Sequence, residues 1–127
     1  MKVLLDSCAF IDIALNADSL TEQAINAYRK HDVYLSAASV WELSLKKSLG
    51  KLDFDIRKAV DLLPANGIKV LDISLPVTLL VNELPYHHKD PFDRIIIATA
   101  IINEMAVITS DNVFASYGLD VIQSRSI

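Results

Sequence analysis

Four acidic residues stand where the chain leaves a predicted strand or enters a predicted helix: Asp6, Glu42, Asp93 and Asp111. Because the carboxyl ends of parallel strands meet at one edge of a sheet, we expect their side chains to converge there. Clustered carboxylates without cysteine or paired-histidine ligands suit a hard cation such as Mg²⁺ or Mn²⁺. Such a cation generates a hydroxide-like nucleophile and clamps a phosphate, so the pattern favours hydrolysis of phosphodiester bonds.

Each acid also has a simpler interpretation when it is taken alone. Glu42 has the spacing of a capping box with Ser39, and we expect it in the first turn of its helix. Asp93 suits the positive end of a helix, while Asp6 and Asp111 suit turns after their strands. No single one of these interpretations explains all four positions, and their convergence favours a site.

The stretch HHKDPFDR (87–94) contains two aspartates with different predicted roles. Asp90 immediately precedes Pro91, and proline is favoured at the first helical position, so Asp90 is predicted to be a structural helix cap. Asp93 lies in the first turn and shares a helical face with Ile96 and Ile97. It is therefore predicted to point inward, where a carboxylate needs a partner.

Strand patterns alternate with helix patterns, which predicts an α/β fold with a mainly parallel sheet of four to five strands. The strand patterns are 2–5, 33–36, 69–73 and 106–110, with 120–123 as the fifth candidate. Helices are predicted to start at the capping boxes of Ser19 and Ser39, over 55–67, at Ser74 before Pro76, and over 92–105. Gly50 is predicted to end the second of these, and the last is apolar nearly all round, so we expect it to be buried.

Composition narrows the class of protein. The chain has 127 residues, of which 52% are hydrophobic, so we expect one well-packed globular domain over 1–127. A net charge of −4 argues against capture of nucleic acid by bulk charge but leaves a local basic patch open. The single cysteine, Cys8, excludes an internal disulfide and favours a reducing, cytoplasmic setting. No targeting segment or membrane span is expected.

Four segments resemble the PIN-domain family, specifically the VapC-type toxins of type II toxin–antitoxin pairs: LLDS (4–7), SAASVWELSLKKSLGKL (36–52), HHKDPFDRIIIATA (87–100) and VITSDNVFASYG (107–118). The resemblance implies a single PIN domain, a three-layer α/β/α sandwich, and a Mg²⁺- or Mn²⁺-dependent endoribonuclease. The family's catalytic, metal-binding acids match Asp6, Glu42, Asp93 and Asp111. The implied partners are RNA, a VapB-type antitoxin and a second copy of the toxin.

One departure from the family pattern is Cys8, which stands where relatives often carry histidine, while Ser7 keeps the hydroxyl. This leaves substrate preference open, and we expect Cys8 to be a small buried residue. Supporting roles or RNA contacts are assigned to Ser7, Lys46, Arg94, Thr109 and Ser110.

Alternatives remain open for several of these residues. Lys46, with Lys47 and Lys51, fits a solvated helix face as well as contact with RNA phosphate. Arg94 suits either a structural ion pair with an acid such as Glu42 or a phosphate contact. Thr109 and Ser110 suit either the orientation of water and metal or a simple turn. For His87 and His88, exposure or backbone hydrogen bonding is favoured over a general-acid role.

The principal alternative function is a PIN-like module that binds RNA or protein without cutting it. The clustered acids weigh against this, since a binding module gains nothing from repulsive charge. A haloacid-dehalogenase-type phosphatase needs a second aspartate at position 8, where the chain has Cys8.

Overall fold

Five short apolar segments form one sheet, as the alternating pattern predicts. The computed structural model describes residues 1–125. Its strands are β1 (Lys2–Leu5), β2 (Asp32–Ser36), β3 (Ile68–Leu71), β4 (Ala106–Thr109) and β5 (Val121–Gln123). They lie in the order β3-β2-β1-β4-β5, and every neighbouring pair is parallel. The order reverses between β1 and β4, and ligands of open α/β sheets bind at such a reversal.

In the part of the chain that the structure describes, six α-helices connect or flank these strands. They are α1 (Ser7–Leu15), α2 (Glu22–Lys30), α3 (Ala37–Ser48), α4 (Ile56–Asp61), α5 (Leu75–Glu83) and α6 (Pro91–Asn103). Three 3₁₀ turns cover Ala17–Ser19, Pro64–Asn66 and Asn112–Tyr117. Within residues 1–125, no helix is both long enough and apolar enough to cross a membrane.

The sheet separates two hydrophobic cores, because successive strand side chains point to opposite faces. Val3 and Leu5 of β1 pack in one core with residues of α1 to α4. Leu4, between them, packs in the other with residues of α5 and α6. The predicted three-layer α/β/α sandwich is therefore confirmed.

Several helix boundaries differ from the sequence-based prediction. Helix α1 was not predicted; it begins directly after Asp6, whose carboxylate caps it. Thr21, and not Ser19, caps α2. Ser36, and not Ser39, caps α3, so Glu42 lies in the second turn and the capping box with Ser39 is wrong.

Two further local predictions have clear outcomes. Gly50 follows the end of α3 with φ of 71°, a left-handed conformation that glycine adopts without strain, as expected. Helix α6 is buried over Ile96–Ala100, but Ile101 and Ile102 near its end are exposed, so the expectation of a helix buried along its whole length was too broad.

The predicted cap of α6 is confirmed. Asp90 Oδ1 accepts hydrogen bonds from the backbone N–H groups of Phe92 (2.9 Å) and Asp93 (3.0 Å). Pro91 occupies the first helical position, where its missing N–H costs nothing. The cap matters for the site because it fixes the start of the helix that carries Asp93.

Replacing the cap gives a direct test of this role. We expect Asp90→Ala to lower the free energy of unfolding by roughly 0.5–2 kcal/mol, since two helix N–H groups lose their acceptor. Asp90→Ser is the matched control and should recover most of the loss, because serine still caps. Chemical denaturation of the three proteins measures this; equal losses in both variants would contradict the capping role.

Candidate metal centre and active site

Asp6 lies where β1 ends and α1 begins, at the reversal of the strand order. Its Oδ1 accepts a hydrogen bond from the N–H of Ala9 (2.8 Å), and its Oδ2 accepts one from the Thr109 hydroxyl (2.5 Å). The side chain is buried. Both oxygens are therefore oriented by the protein before any ligand binds.

Thr109, the last residue of β4, connects two of the predicted acids. Its fully buried hydroxyl donates to Asp6 and accepts a hydrogen bond from the N–H of Asp111 (3.0 Å). Thr109 therefore orients the Asp6 carboxylate, which differs from the orientation of water and metal that the sequence analysis considered, and it also closes the turn to Asp111. Ser110 is partly buried, and its carbonyl accepts a long hydrogen bond from Gln123 (3.5 Å), which fits a turn role.

Glu42 reaches the same region from α3 and is also held at both oxygens. Its Oε1 accepts a hydrogen bond from Ser7 Oγ (2.6 Å), and its Oε2 pairs with Lys46 Nζ (2.9 Å). Glu42 and Ser7 are buried, whereas the Lys46 side chain is half exposed. Ser7 and Lys46 thus orient Glu42, while the hydroxyl of Ser39 is buried and has no partner among the described residues.

Asp93 and Asp111 meet at a residue that the sequence analysis did not place in the site, His88. The Nε2 atom of His88 lies 2.8 Å from Asp111 Oδ2 and 3.2 Å from Asp93 Oδ2. One potential ligand atom from each of these three residues falls within 4.8 Å of the other two. Asp111 Oδ1 in addition caps the following 3₁₀ turn through the N–H of Val113 (2.9 Å).

The electrostatics of the acids show that they form one group. Burial raises the pKa of Asp6 to about 6, with added repulsion from Asp111 and Glu42, although the Thr109 hydroxyl and the Ala9 N–H oppose the shift. Burial raises the pKa of Asp93 to about 7, with added repulsion from Asp90, Glu42 and Asp6 against the opposing effect of His88. Bringing these carboxylates together therefore has a cost that a cation would offset.

Two sequence-based expectations for neighbouring residues were wrong. Cys8 is exposed and not buried, and desolvation together with the charge of Asp6 raises the pKa of its thiol. Within residues 1–125, Arg94 pairs with no acid: its buried guanidinium donates to the backbone carbonyl oxygens of Val81, Leu84, Pro85 and His88. It also stacks on Tyr86, with 4.1 Å between the guanidinium carbon and the ring centroid. Arg94 therefore stabilises the conformation of the loop between α5 and α6.

One feature of the sequence, the position of His88, indicated that this residue lies near the site. It stands two residues before the cap of α6, so its loop must lie at the same helix end as Asp93. Its side-chain direction depends on contacts with Tyr117 and Phe114, which come from a distant segment. Sequence spacing alone does not give that direction.

The donor set fits a hard cation. Asp93 and Asp111 each bring a carboxylate oxygen within 4.8 Å of a ring nitrogen of His88, whereas Asp6 and Glu42 are not part of this group in the described residues. Mg²⁺ and Mn²⁺ prefer such oxygens and retain several waters, which the partly exposed Asp93 and Asp111 would accommodate. The centre is therefore suited to metal-assisted hydrolysis of a phosphate ester.

Comparison with known proteins agrees with this fold. The family model of the PIN domain matches residues 3–119, which confirms the resemblance seen in the sequence. No curated protein sequence matches the chain significantly. A structure of VapBC2 from Rickettsia felis bound to a promoter DNA fragment has a TM-score of 0.75 at 16% identity, covering 98% of this chain and 99% of that chain.

Two further solved structures share the fold. FitAcB from Neisseria gonorrhoeae has a TM-score of 0.66 at 24% identity and covers 95% of this chain and 96% of that chain. VapC20 from Mycobacterium tuberculosis, described as a toxin that cleaves the sarcin–ricin loop, has a TM-score of 0.62 at 14% identity, with coverages of 92% and 95%. Identities this low establish a common fold and no more.

The raised pKa values predict how pH affects the metal-free protein. In the folded state Asp6 and Asp93 bind protons more tightly than at the ordinary pKa of 3.8, so the folded state holds more protons between about pH 4 and pH 7. Stability should therefore fall as pH rises through this range. Asp93→Asn should weaken this dependence, because it removes one of the two carboxylates.

Denaturation in EDTA at a series of pH values measures this effect. Asp18→Asn is the matched control, because Asp18 is exposed and distant in the sequence from the centre. The expected result is a stability advantage of Asp93→Asn over the wild type that grows with pH. An advantage that is constant or shrinks with pH would show that Asp93 is not a destabilising carboxylate.

Proposed function

Because this chain belongs to the PIN-domain family, we propose that it is a Mg²⁺- or Mn²⁺-dependent endoribonuclease that hydrolyses RNA phosphodiester bonds. The observation that carries the proposal is the convergence of buried and partly buried carboxylates at the strand-order reversal, two of them with pKa values raised to about 6 and about 7. A module that only binds RNA has no use for this arrangement, because RNA is itself an anion.

The residues of the site have separate proposed roles. Asp6, Glu42, Asp93 and Asp111 would hold the cation, which when bound supplies a nucleophile from water and neutralises charge on the phosphate. Thr109 fixes Asp6 relative to Asp111, and Ser7 fixes Glu42. Lys46 is half exposed beside Glu42, where its ammonium group is available to an RNA phosphate as well as to the carboxylate.

The biological setting that we propose is a VapC-type toxin held inactive by a VapB-type antitoxin in the cytoplasm, where its RNA substrate would be found. Support comes from the solved complexes with this fold, which include toxin–antitoxin complexes from Rickettsia felis and Klebsiella pneumoniae. Residues 1–127 would act as one PIN domain.

We also propose that the active form is a homodimer joined through α3. Trp41 and Leu45 of α3 and Leu49, which caps its C-terminal end, are spaced four residues apart and are 53%, 43% and 59% exposed. Trp41 packs edge-on against Phe92, with 4.7 Å between ring centroids, so this apolar stripe continues onto α6. Removing such a stripe from water is a sufficient reason for two copies to associate.

The nuclease proposal is tested by RNA cleavage with matched variants. The wild type should cut RNA with Mg²⁺ or Mn²⁺ and lose activity in EDTA. Asp93→Asn should cut slower by orders of magnitude while remaining folded, because it removes charge that a hard cation needs. Asp90→Asn is the matched control and should stay near wild type, since asparagine still caps α6. Full activity in excess chelator, or loss with Asp90→Asn alone, would contradict the proposal.

The dimer is tested by placing a charge in the stripe. Leu45→Glu should give a monomer by light scattering, because a carboxylate would then face an apolar partner surface. Leu62→Glu is the matched control: Leu62 is 49% exposed but lies outside α3, so this variant should remain dimeric. A wild-type monomer at all concentrations, or a dimer that survives Leu45→Glu, would refute an interface at this stripe.

A further inference from the structure

His88, Asp93 and Asp111 form a group whose geometry permits two different roles for the histidine. An imidazole nitrogen beside two carboxylates is either a third ligand for a cation or a hydrogen-bond donor that holds the carboxylates in place. We propose that His88 is a positioning residue: its Nε2–H donates to Asp111 and Asp93, and it is not itself a metal ligand. This inference rests on the metal centre described above.

A hydrogen bond from the backbone of Asp90 determines the tautomer of the His88 ring. The backbone N–H of Asp90 points at His88 Nδ1, with 3.1 Å between the nitrogens. A backbone N–H only donates, so Nδ1 must offer its lone pair. A neutral imidazole carries a single N–H, which must therefore be on Nε2. Nε2 is then a donor to Asp111 Oδ2 at 2.8 Å and to Asp93 Oδ2 at 3.2 Å.

The same contact disfavours the ligand role. To bind a cation through Nε2, the ring would have to move its proton to Nδ1. That proton would then face the N–H of Asp90, and two donors would oppose each other at 3.1 Å. Asp90 thus has two roles: its side chain caps α6, and its backbone N–H sets the tautomer of His88.

Contacts of its backbone and of its ring hold His88 in place. The N–H of His88 donates to Tyr117 Oη (2.8 Å), and its carbonyl accepts a hydrogen bond from Arg94 (3.2 Å). The ring lies edge-on to Phe114, with 5.9 Å between centroids and an interplanar angle of 90°. Backbone and ring are therefore both fixed, as expected of a residue that orients metal-binding carboxylates.

The metal preference of the centre depends on which role His88 has. If His88 supplies no ligand atom, the centre presents oxygens alone and suits Mg²⁺ and Mn²⁺. A nitrogen ligand would shift the preference towards Zn²⁺ and similar ions. Metal affinities of His88 variants therefore distinguish the two roles.

The experiment uses the full chain, stripped of metal, and calorimetric titration with Mg²⁺, Mn²⁺ or Zn²⁺ alone. His88→Ala should weaken the binding of Mg²⁺ and Mn²⁺ by a similar factor, roughly 10–100-fold, since outer-shell partners typically contribute that much. His88→Gln is the matched variant that keeps an N–H donor near the position of Nε2, and it should recover most of the loss. If both variants lose Zn²⁺ affinity while Mg²⁺ affinity is unchanged, His88 is a ligand and the proposal fails.

A second measurement needs no variant, so it holds even if His88→Ala does not fold. Nitrogen-15 NMR of the wild-type imidazole should show the Nε2-protonated tautomer both without metal and with saturating Mg²⁺. A switch to the Nδ1-protonated tautomer on Mg²⁺ binding would overturn the proposal. Neither measurement contains RNA, so its outcome is independent of whether the protein is a nuclease.

Discussion

The burial of several carboxylates at one edge of the sheet is the constraint on which the site depends. These acids are wholly or partly removed from water, and their mutual repulsion adds to the cost of burial. The structure compensates by giving each acid a donor: Thr109 for Asp6, Ser7 and Lys46 for Glu42, and His88 for Asp93 and Asp111. The hydroxyls of Thr109 and Ser7 orient oxygens without adding charge, and Lys46 offsets the charge of Glu42 alone, so the centre remains matched to a cation.

The topology explains why the donors and acids meet. The chain places β2 and β3 on one side of β1 and then β4 and β5 on the other, so the carboxyl ends of β1 and β4 are adjacent. Helices α1, α3 and α6 begin after Asp6, Ser36 and Asp90, each of which caps its helix. The N-terminus of α1 therefore lies at Asp6, and the N-terminus of α6 lies within three residues of Asp93. The positive end of each helix dipole favours the negative charge of these acids.

Sequence patterns predicted the strands, the sheet class and the cap at Asp90, because these follow from local periodicity and from the proline after Asp90. They failed where a choice depends on tertiary contacts. Asp6 was interpreted as a site residue or a turn residue and not as a helix cap, so α1 was missed although this carboxylate caps it. Arg94 and His88 were misjudged because their partners are loop carbonyls and side chains far along the chain. Spacing does not show which way such side chains turn.

A crystal soaked in Mn²⁺ would show whether the acids form one cation centre. Anomalous scattering locates manganese without reference to activity, tautomer or RNA. We expect a peak at the carboxyl edge of β1 and β4, within ligand distance of oxygens from Asp6, Asp93 or Asp111. A Mn²⁺-saturated crystal with no peak there, or with manganese bound only at surface carboxylates elsewhere, would contradict it.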